Sequence, residues 1–185
     1  MLQPERDKSM MKLRNGSATV LVATDVAARG LDVNELDTVV QFDTPDKADT
    51  FMHRSGRTAR AGAVGTAHLI VTSYEQQKFQ DWPAASAVQW AALRPPTLPA
   101  AAPKAPRPTT VTLHVSAGKR EKISRGDLAG AFVSVGGLER DAVGRIEVFD
   151  HYSFVAVPEA VAEEVLQRMQ DAKVKGKKVK VALVR

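Results

Sequence analysis

The sequence predicts an α/β protein in two parts: strands and helices built on a parallel sheet, then a small βαββαβ unit. Three observations lead there. Short runs of branched apolar residues alternate with helical spacings before residue 81. Prolines scattered among alanines interrupt residues 82–110. After them, six regular elements follow one another with short connections. The expected boundaries are therefore 1–81, 82–110 and 111–185.

In the first part, Arg6 to Leu13 has helical spacing, and Asn15-Gly16 closes it with residues that accept a left-handed C-terminal turn. Thr19 to Ala23 is a short, nearly continuous apolar run, the composition of a buried parallel strand. Thr38 to Phe42 and Ala67 to Thr72 read the same way, and Lys47 to Ser55 forms a helix between them after Pro45. Strand, helix and strand at this spacing make an α/β unit with helices covering a parallel sheet. The segment 82–110 cannot sustain a long helix, so it reads as a semi-extended linker with a short helix over Ala84 to Leu93. Trp82 and Trp90 are expected to pack against the first part.

Beyond the linker, Val111 to Val115 is a strand and Ser124 to Val135 a helix capped by Ser124 or Asp127. Arg145 to Phe149 and Ser153 to Val157 are strands. A helix from Pro158 to about Ala172 starts with proline and with Glu159, Glu163 and Glu164 near its positive end, and Val179 to Val184 closes the unit as a strand. This order is the ferredoxin-like split unit that RNA-recognition domains use, and many unrelated proteins use it too.

Composition narrows the function classes. The 44% hydrophobic and 25% charged fractions suit globular domains. With no cysteine, disulfides, thiolate metal sites and cysteine nucleophiles are excluded together. No apolar run approaches the roughly 18–20 residues that span a bilayer, and the first seven residues are too polar for a signal peptide. A soluble cytoplasmic protein with no membrane partner is the expectation. The net charge of +5 is unevenly spread: residues 1–75 hold nine Lys/Arg against ten Asp/Glu, whereas residues 109–185 hold thirteen against ten. The second part is the better candidate for a polyanion.

Two stretches carry the chemistry: Ala23-Thr24-Asp25-Val26-Ala27-Ala28-Arg29-Gly30-Leu31-Asp32, and His53-Arg54-Ser55-Gly56-Arg57-Thr58-Ala59-Arg60-Ala61-Gly62. In the second, three arginines and a histidine lie within eight residues, and Gly56 and Ala59 between them let a backbone come close to an anion. Arg57 and Arg60 are three apart, so in a helical turn both guanidinium groups point one way, a fork that matches phosphate oxygens. A surface salt-bridge cluster and an arginine-rich segment lying on RNA are the alternatives. For Asp25 and Arg29, an internal ion pair and direct ligand contact stand side by side.

The two stretches resemble motifs V and VI of the DEAD-box RNA helicases, in order and at the expected separation, and Gln3-Pro4-Glu5-Arg6-Asp7 resembles the segment just before them. The likeness covers about residues 1–75 and implies a partial second RecA-like domain. It also implies roles. Thr24, Arg29 and Gly30 would touch RNA, and Asp32 would accept hydrogen bonds from the ATP ribose. His53 and Arg54 would tie the nucleotide site to the domain interface. Arg57 and Arg60 would reach the γ-phosphate, Arg60 as the arginine finger. The ATP and its Mg2+ would be held mainly by a first RecA-like domain, the implied partner. The phosphate loop GxxxxGK[ST] and the Asp-Glu-Ala-Asp sequence do not occur here. The chain is therefore expected to be a truncated or late-starting piece without ATPase activity of its own. A non-enzymatic RNA-binding adaptor is the competing reading.

In the second part, Lys119, Arg120 and Lys122 follow the first strand, and Lys173, Lys175, Lys177, Lys178 and Lys180 precede the last. Between Glu139 and Asp171 lie eight acids and three arginines. If the basic runs meet in the fold, they form one phosphate-facing patch. Residues 111–185 resemble the RNA-recognition (RRM-like) domain of DbpA-type DEAD-box helicases, which implies binding to structured, large-subunit ribosomal RNA and a place in ribosome assembly. Tyr152 and Phe154 fall on one strand face, either as stacking platforms for bases or as core.

Overall fold

The computed structural model describes residues 3–25, 36–58, 64–79, 82, 89, 91 and 107–184. They belong to two compact units, one joining Met1–Leu31 to Lys104–Arg185 and the other spanning Asp32–Pro103. Among the described residues no helix is long and apolar enough to cross a membrane.

In the Asp32–Pro103 unit, β1 (Thr38–Gln41) and β2 (Thr66–Leu69) pair in parallel, Thr38 opposite Thr66 and Gln41 opposite Leu69. The crossover between them carries α2 (Ala48–Ser55), which begins after the Pro45 that fixes the chain entry. A one-turn helix, α3 (Ser73–Gln76), follows β2, with a reciprocal cap between Thr72 and Glu75. Hydrogen bonds first from the Thr44 hydroxyl and then from Thr72 draw the Glu75 carboxyl down to about 2. Trp82 meets Phe79 edge-on at 4.4 Å and lies 6.1 Å from Phe51. It is a packing residue, as expected; Trp90 and most of 82–106 lie outside the described residues. Among the described residues this parallel sheet has two strands, too few to bury both of its faces. Phe42 accordingly stays 77% exposed and Val40 57% exposed.

In the other unit, α1 (Gln3–Arg14) ends as its sequence predicts. Gly16 turns left-handed at φ +70°, and the Ser17 amide donates to the Lys12 carbonyl at 2.9 Å. The strand expected over Thr19 to Ala23 does not form, and Val22 is 93% exposed. Its composition is that of a buried parallel strand, but a strand needs a ladder partner, and among the described residues none runs alongside it.

The rest of this unit follows the expected βαββαβ order. Its elements are β3 (Thr110–Val115), α4 (Arg125–Ser134), β4 (Ile146–Val148), β5 (Ser153–Pro158), α5 (Ala162–Arg168) and β8 (Val181–Leu183). The sheet order is β4-β5-β3-β8, every neighbour antiparallel. Ser124 caps α4 by accepting the Asp127 amide, and Asp127 reaches back to the Ser124 amide. Pro158 ends β5 instead of opening a helix: a 3-10 turn intervenes, and α5 starts at Ala162. A hairpin of β6 (Lys173–Val174) and β7 (Lys177–Lys178) adds to the expected set; its two-residue turn has Lys175 at φ 52° and Gly176 at φ 77°.

Strand alternation divides the sheet into two faces. Leu113, Val115, Val155 and Val157 join Leu128, Phe132, Val165 and Met169 in the core under α4 and α5. Thr112, His114, Phe154 and Ala156 face the other way, and α1 lies there, with the Asn15 amide donating to Thr112 Oγ1 at 3.2 Å and Ser17 Oγ bonded to the same hydroxyl at 2.7 Å. Thr112 and Phe154 are each only 1% exposed as a result. Met11, at 1% exposure, is the most deeply buried side chain of α1. Burying a side chain of that size is worth about 1.5–3 kcal/mol.

Candidate nucleic-acid interface

The arginine-bearing segment lies at the C-terminal end of α2. Gln41, buried at the end of β1, donates to Ser55 Oγ at 2.9 Å and to the Phe51 carbonyl at 3.3 Å, tying the helix to the strand. The chain leaves α2 through Gly56, whose amide donates to the Met52 carbonyl at 2.8 Å. A Cβ on Gly56 would sit 3.1 Å from that carbonyl oxygen, tighter than most side chains tolerate. Arg54 donates to the Asp43 carbonyl at 2.7 Å, His53 is exposed, and Arg57 is half-buried just beyond. Leu36 and Thr58 bridge in parallel and anchor the segment after Arg57. Guanidinium groups offer only donors, so the chemistry of these arginines fits the oxygens of a polyphosphate. Thr24 is exposed, in the other compact unit. Arg29, Gly30, Asp32 and Arg60 lie outside the described residues.

The second group of candidates is brought together. After β3, residues Lys119–Glu121 form a 3-10 turn held by the Lys119 amide donating to the Phe149 carbonyl at 2.8 Å and the Arg120 amide to the Asp150 carbonyl at 2.9 Å. Gly118 makes this approach possible, because a Cβ there would fall 2.1 Å from the Phe149 oxygen. Glu121 accepts the Gly118 amide at 2.8 Å, and that bond is the main reason its carboxyl is held below the usual range, with His151 and Lys177 adding smaller attractions. Lys122 turns left-handed at φ 60°.

From the hairpin, the Lys175 ammonium donates to the Lys122 carbonyl at 3.1 Å and lies 3.6 Å from the Asp127 carboxylate. The basic runs separated by 53 positions therefore meet over the first turn of α4. Lys119, Arg120, Lys122, Lys175 and Lys177 are all exposed there. Lys178 instead pairs with Asp171 at 2.8 Å. Left-handed backbone at a lysine costs about 1–2 kcal/mol, and both lysines in contact have it.

Tyr152 and Phe154 share a face, ring centres 5.5 Å apart, with His114 at 5.6 Å from each and Phe149 stacked 5.1 Å from Tyr152. The Tyr152 hydroxyl donates to Asp7 of α1 at 2.7 Å. Phe149 and His151 were not singled out from the sequence. Phe149 closes a strand pattern whose register with β5 could have flagged it, whereas His151 sits in a turn with no local signal.

Two family models match the chain. Residues 1–62 match the helicase conserved C-terminal domain and residues 112–183 match the DbpA RNA binding domain. The ATP-dependent RNA helicase DbpA of Escherichia coli is 38% identical over 99% of this chain and 40% of its own length. Its Bacillus subtilis namesake is 31% identical over 98% of the chain and 42% of its own length. The likeness is to the C-terminal part of the DEAD-box RNA helicases. The ATP-dependent RNA helicase SrmB of Haemophilus influenzae is 52% identical over 40% of this chain and 17% of its own length. The chain spans about two fifths of the DbpA relatives it matches. The chain thus pairs a match to a helicase C-terminal domain with a match to a DbpA RNA binding domain, and the lysine loops lie within the latter.

Proposed function

We propose that this chain supplies the RNA-anchoring domain and half of the nucleotide site of an ATP-dependent helicase acting on structured ribosomal RNA during ribosome assembly. The contact between Lys175 and the Lys122 carbonyl carries the RNA half of this reading, because it turns two basic runs into one surface. Exposed ammonium and guanidinium groups on adjacent loops displace counterions from a phosphate backbone, the main source of sequence-independent affinity. Choice of a particular hairpin then rests on side chains that reach bases beside that anchor.

The nucleotide half rests on the arginine segment after α2. Arg57 and Arg60 would neutralise charge building on the γ-phosphate, Arg54 and His53 would hold the segment's pose, and Asp32 would hold the ribose. The first RecA-like domain would bring the phosphate loop and the magnesium.

RNA binding by the whole chain tests the first half. A labelled large-subunit ribosomal RNA hairpin and a shuffled hairpin of equal length are titrated at two salt concentrations. Tighter binding of the native hairpin, with roughly tenfold weaker binding by the Lys119→Ala/Lys122→Ala variant, is expected. Equal affinity for both hairpins refutes the ribosomal target, and an unaffected double variant refutes the anchor.

A further inference from the structure

We propose that the RNA-binding surface continues past the lysine loops, around the start of α4, into a cleft at the β4 edge where Arg125, Arg140 and Arg145 hold further phosphodiester groups. This inference rests on the RNA-binding reading above and extends its footprint through Arg125 to Arg140 and Arg145, which lie in the acid-rich stretch of the sequence.

The path is continuous in the fold. Lys175 touches both the Lys122 carbonyl and Asp127 of the first turn of α4. Arg125 opens that helix and reaches Glu147 on β4 at 3.4 Å; Arg145 reaches the other oxygen of the same carboxylate at 3.2 Å. Together with Arg140 these residues line a cleft of about 590 Å³.

Charge in the cleft is not balanced. Glu147 is its lining acid, facing three guanidinium groups. Its side chain is 19% exposed, whereas those of Arg125 and Arg145 are 71% and 53% exposed. One partly buried carboxylate thus orients two exposed forks and leaves most of their N–H groups directed to solvent. That is the arrangement that receives phosphate oxygens in pairs.

A glycine in the cleft wall agrees. Gly126 sits in the first turn of α4, where a Cβ would meet nothing closer than Ser124 Oγ at 3.8 Å. Packing does not require it, and glycine costs a helix about 1 kcal/mol relative to alanine. Its bare backbone keeps the track between Lys122 and Arg145 open. On the opposite face of the sheet, α1 already covers Thr112 and Phe154. An RNA strand gripped by the lysine loops therefore has a cationic route along the edge and a blocked one across the sheet.

The test uses the full chain and a labelled hairpin RNA with a single-stranded extension, its affinity measured across a salt series. Arg140→Ala/Arg145→Ala is expected to bind about tenfold more weakly, with a log–log salt slope shallower by about 1.4–1.8, the loss of two phosphate contacts. Glu147→Gln releases both forks and is expected to bind several-fold more tightly with a steeper slope; a gain cannot come from unfolding. If Lys119→Ala/Lys122→Ala loses affinity while both cleft variants match the parent in affinity and slope, the extension is wrong and the RNA-binding reading stands. Weaker binding by the arginine variant with an unchanged slope also overturns the extension. If none of the three variants differs from the parent, the reading and the extension fall together.

Discussion

The hydroxyl of Tyr152 and the carboxylate of Asp7, 145 positions apart in the chain, are joined by a 2.7 Å hydrogen bond that fastens α1 to the open face of the C-terminal sheet. Burial first, and Asp7 second, raise the Tyr152 hydroxyl from 10.0 to about 12. A tyrosine whose folded pKa lies above its unfolded one stabilises the fold fully below the unfolded value. That contribution is lost as pH climbs through the interval from 10.0 to about 12. In a Tyr74→Phe background, tyrosinate absorbance is expected to rise only toward the top of that interval, and Asp7→Asn should move the midpoint down. Titration of Tyr152 at its ordinary value would show that α1 does not dock as described.

The left-handed lysine in the hairpin turn predicts a trade between stability and binding. Asparagine tolerates this conformation better than lysine. Lys175→Asn is expected to raise unfolding stability by about 0.5–1 kcal/mol while weakening RNA binding, because the ammonium over the Lys122 carbonyl is gone. Thermal unfolding and RNA titration on the same sample check both signs.

Gly118 holds the basic turn against the β4–β5 connection, and a methyl group there would collide with the Phe149 carbonyl. Gly118→Ala should cost about 2–3 kcal/mol, since backbone on both sides must shift. RNA affinity should fall with it, through displacement of Lys119 and Arg120. A fully stable variant with parent-like affinity would mean that the turn's close approach plays no part in binding.

The elements of the unit that joins α1 to the C-terminal sheet were largely legible because each carries its own local signal. Ser124 and Asp127 spell a reciprocal cap, β3 alternates, and Asn15-Gly16 marks the end of α1. What depended on distant partners was not. Thr19 to Ala23 has strand composition but no ladder, and Pro158 looks like a helix start yet completes a six-residue strand. Charge counting places Arg140 and Arg145 in an acid-rich stretch, whereas the fold sends Glu163 and Glu164 to α5 and leaves Glu147 shared between Arg125 and Arg145. The meeting of Lys122 with Lys175 was conditional in the sequence and needed the hairpin, which a Lys-Gly pair alone signals weakly.

The arginine segment makes a separate prediction. In an enzyme completed with a first RecA-like domain, Arg57→Ala and Arg60→Ala should each lower RNA-stimulated ATP turnover by about 10³-fold or more, the usual worth of an arginine finger. RNA affinity should stay near that of the parent. Near-normal turnover by either variant would remove that residue from the nucleotide site.

The central claim is that RNA is held by the lysine loops around the start of α4. Amide chemical-shift mapping of the full chain during titration with a hairpin RNA tests it most directly. The largest changes are expected at residues 118–126 and 173–178, with smaller ones at 140–147 and little change at Thr112 or Phe154. Changes centred on the α1-covered face, with the lysine loops silent, would contradict the account.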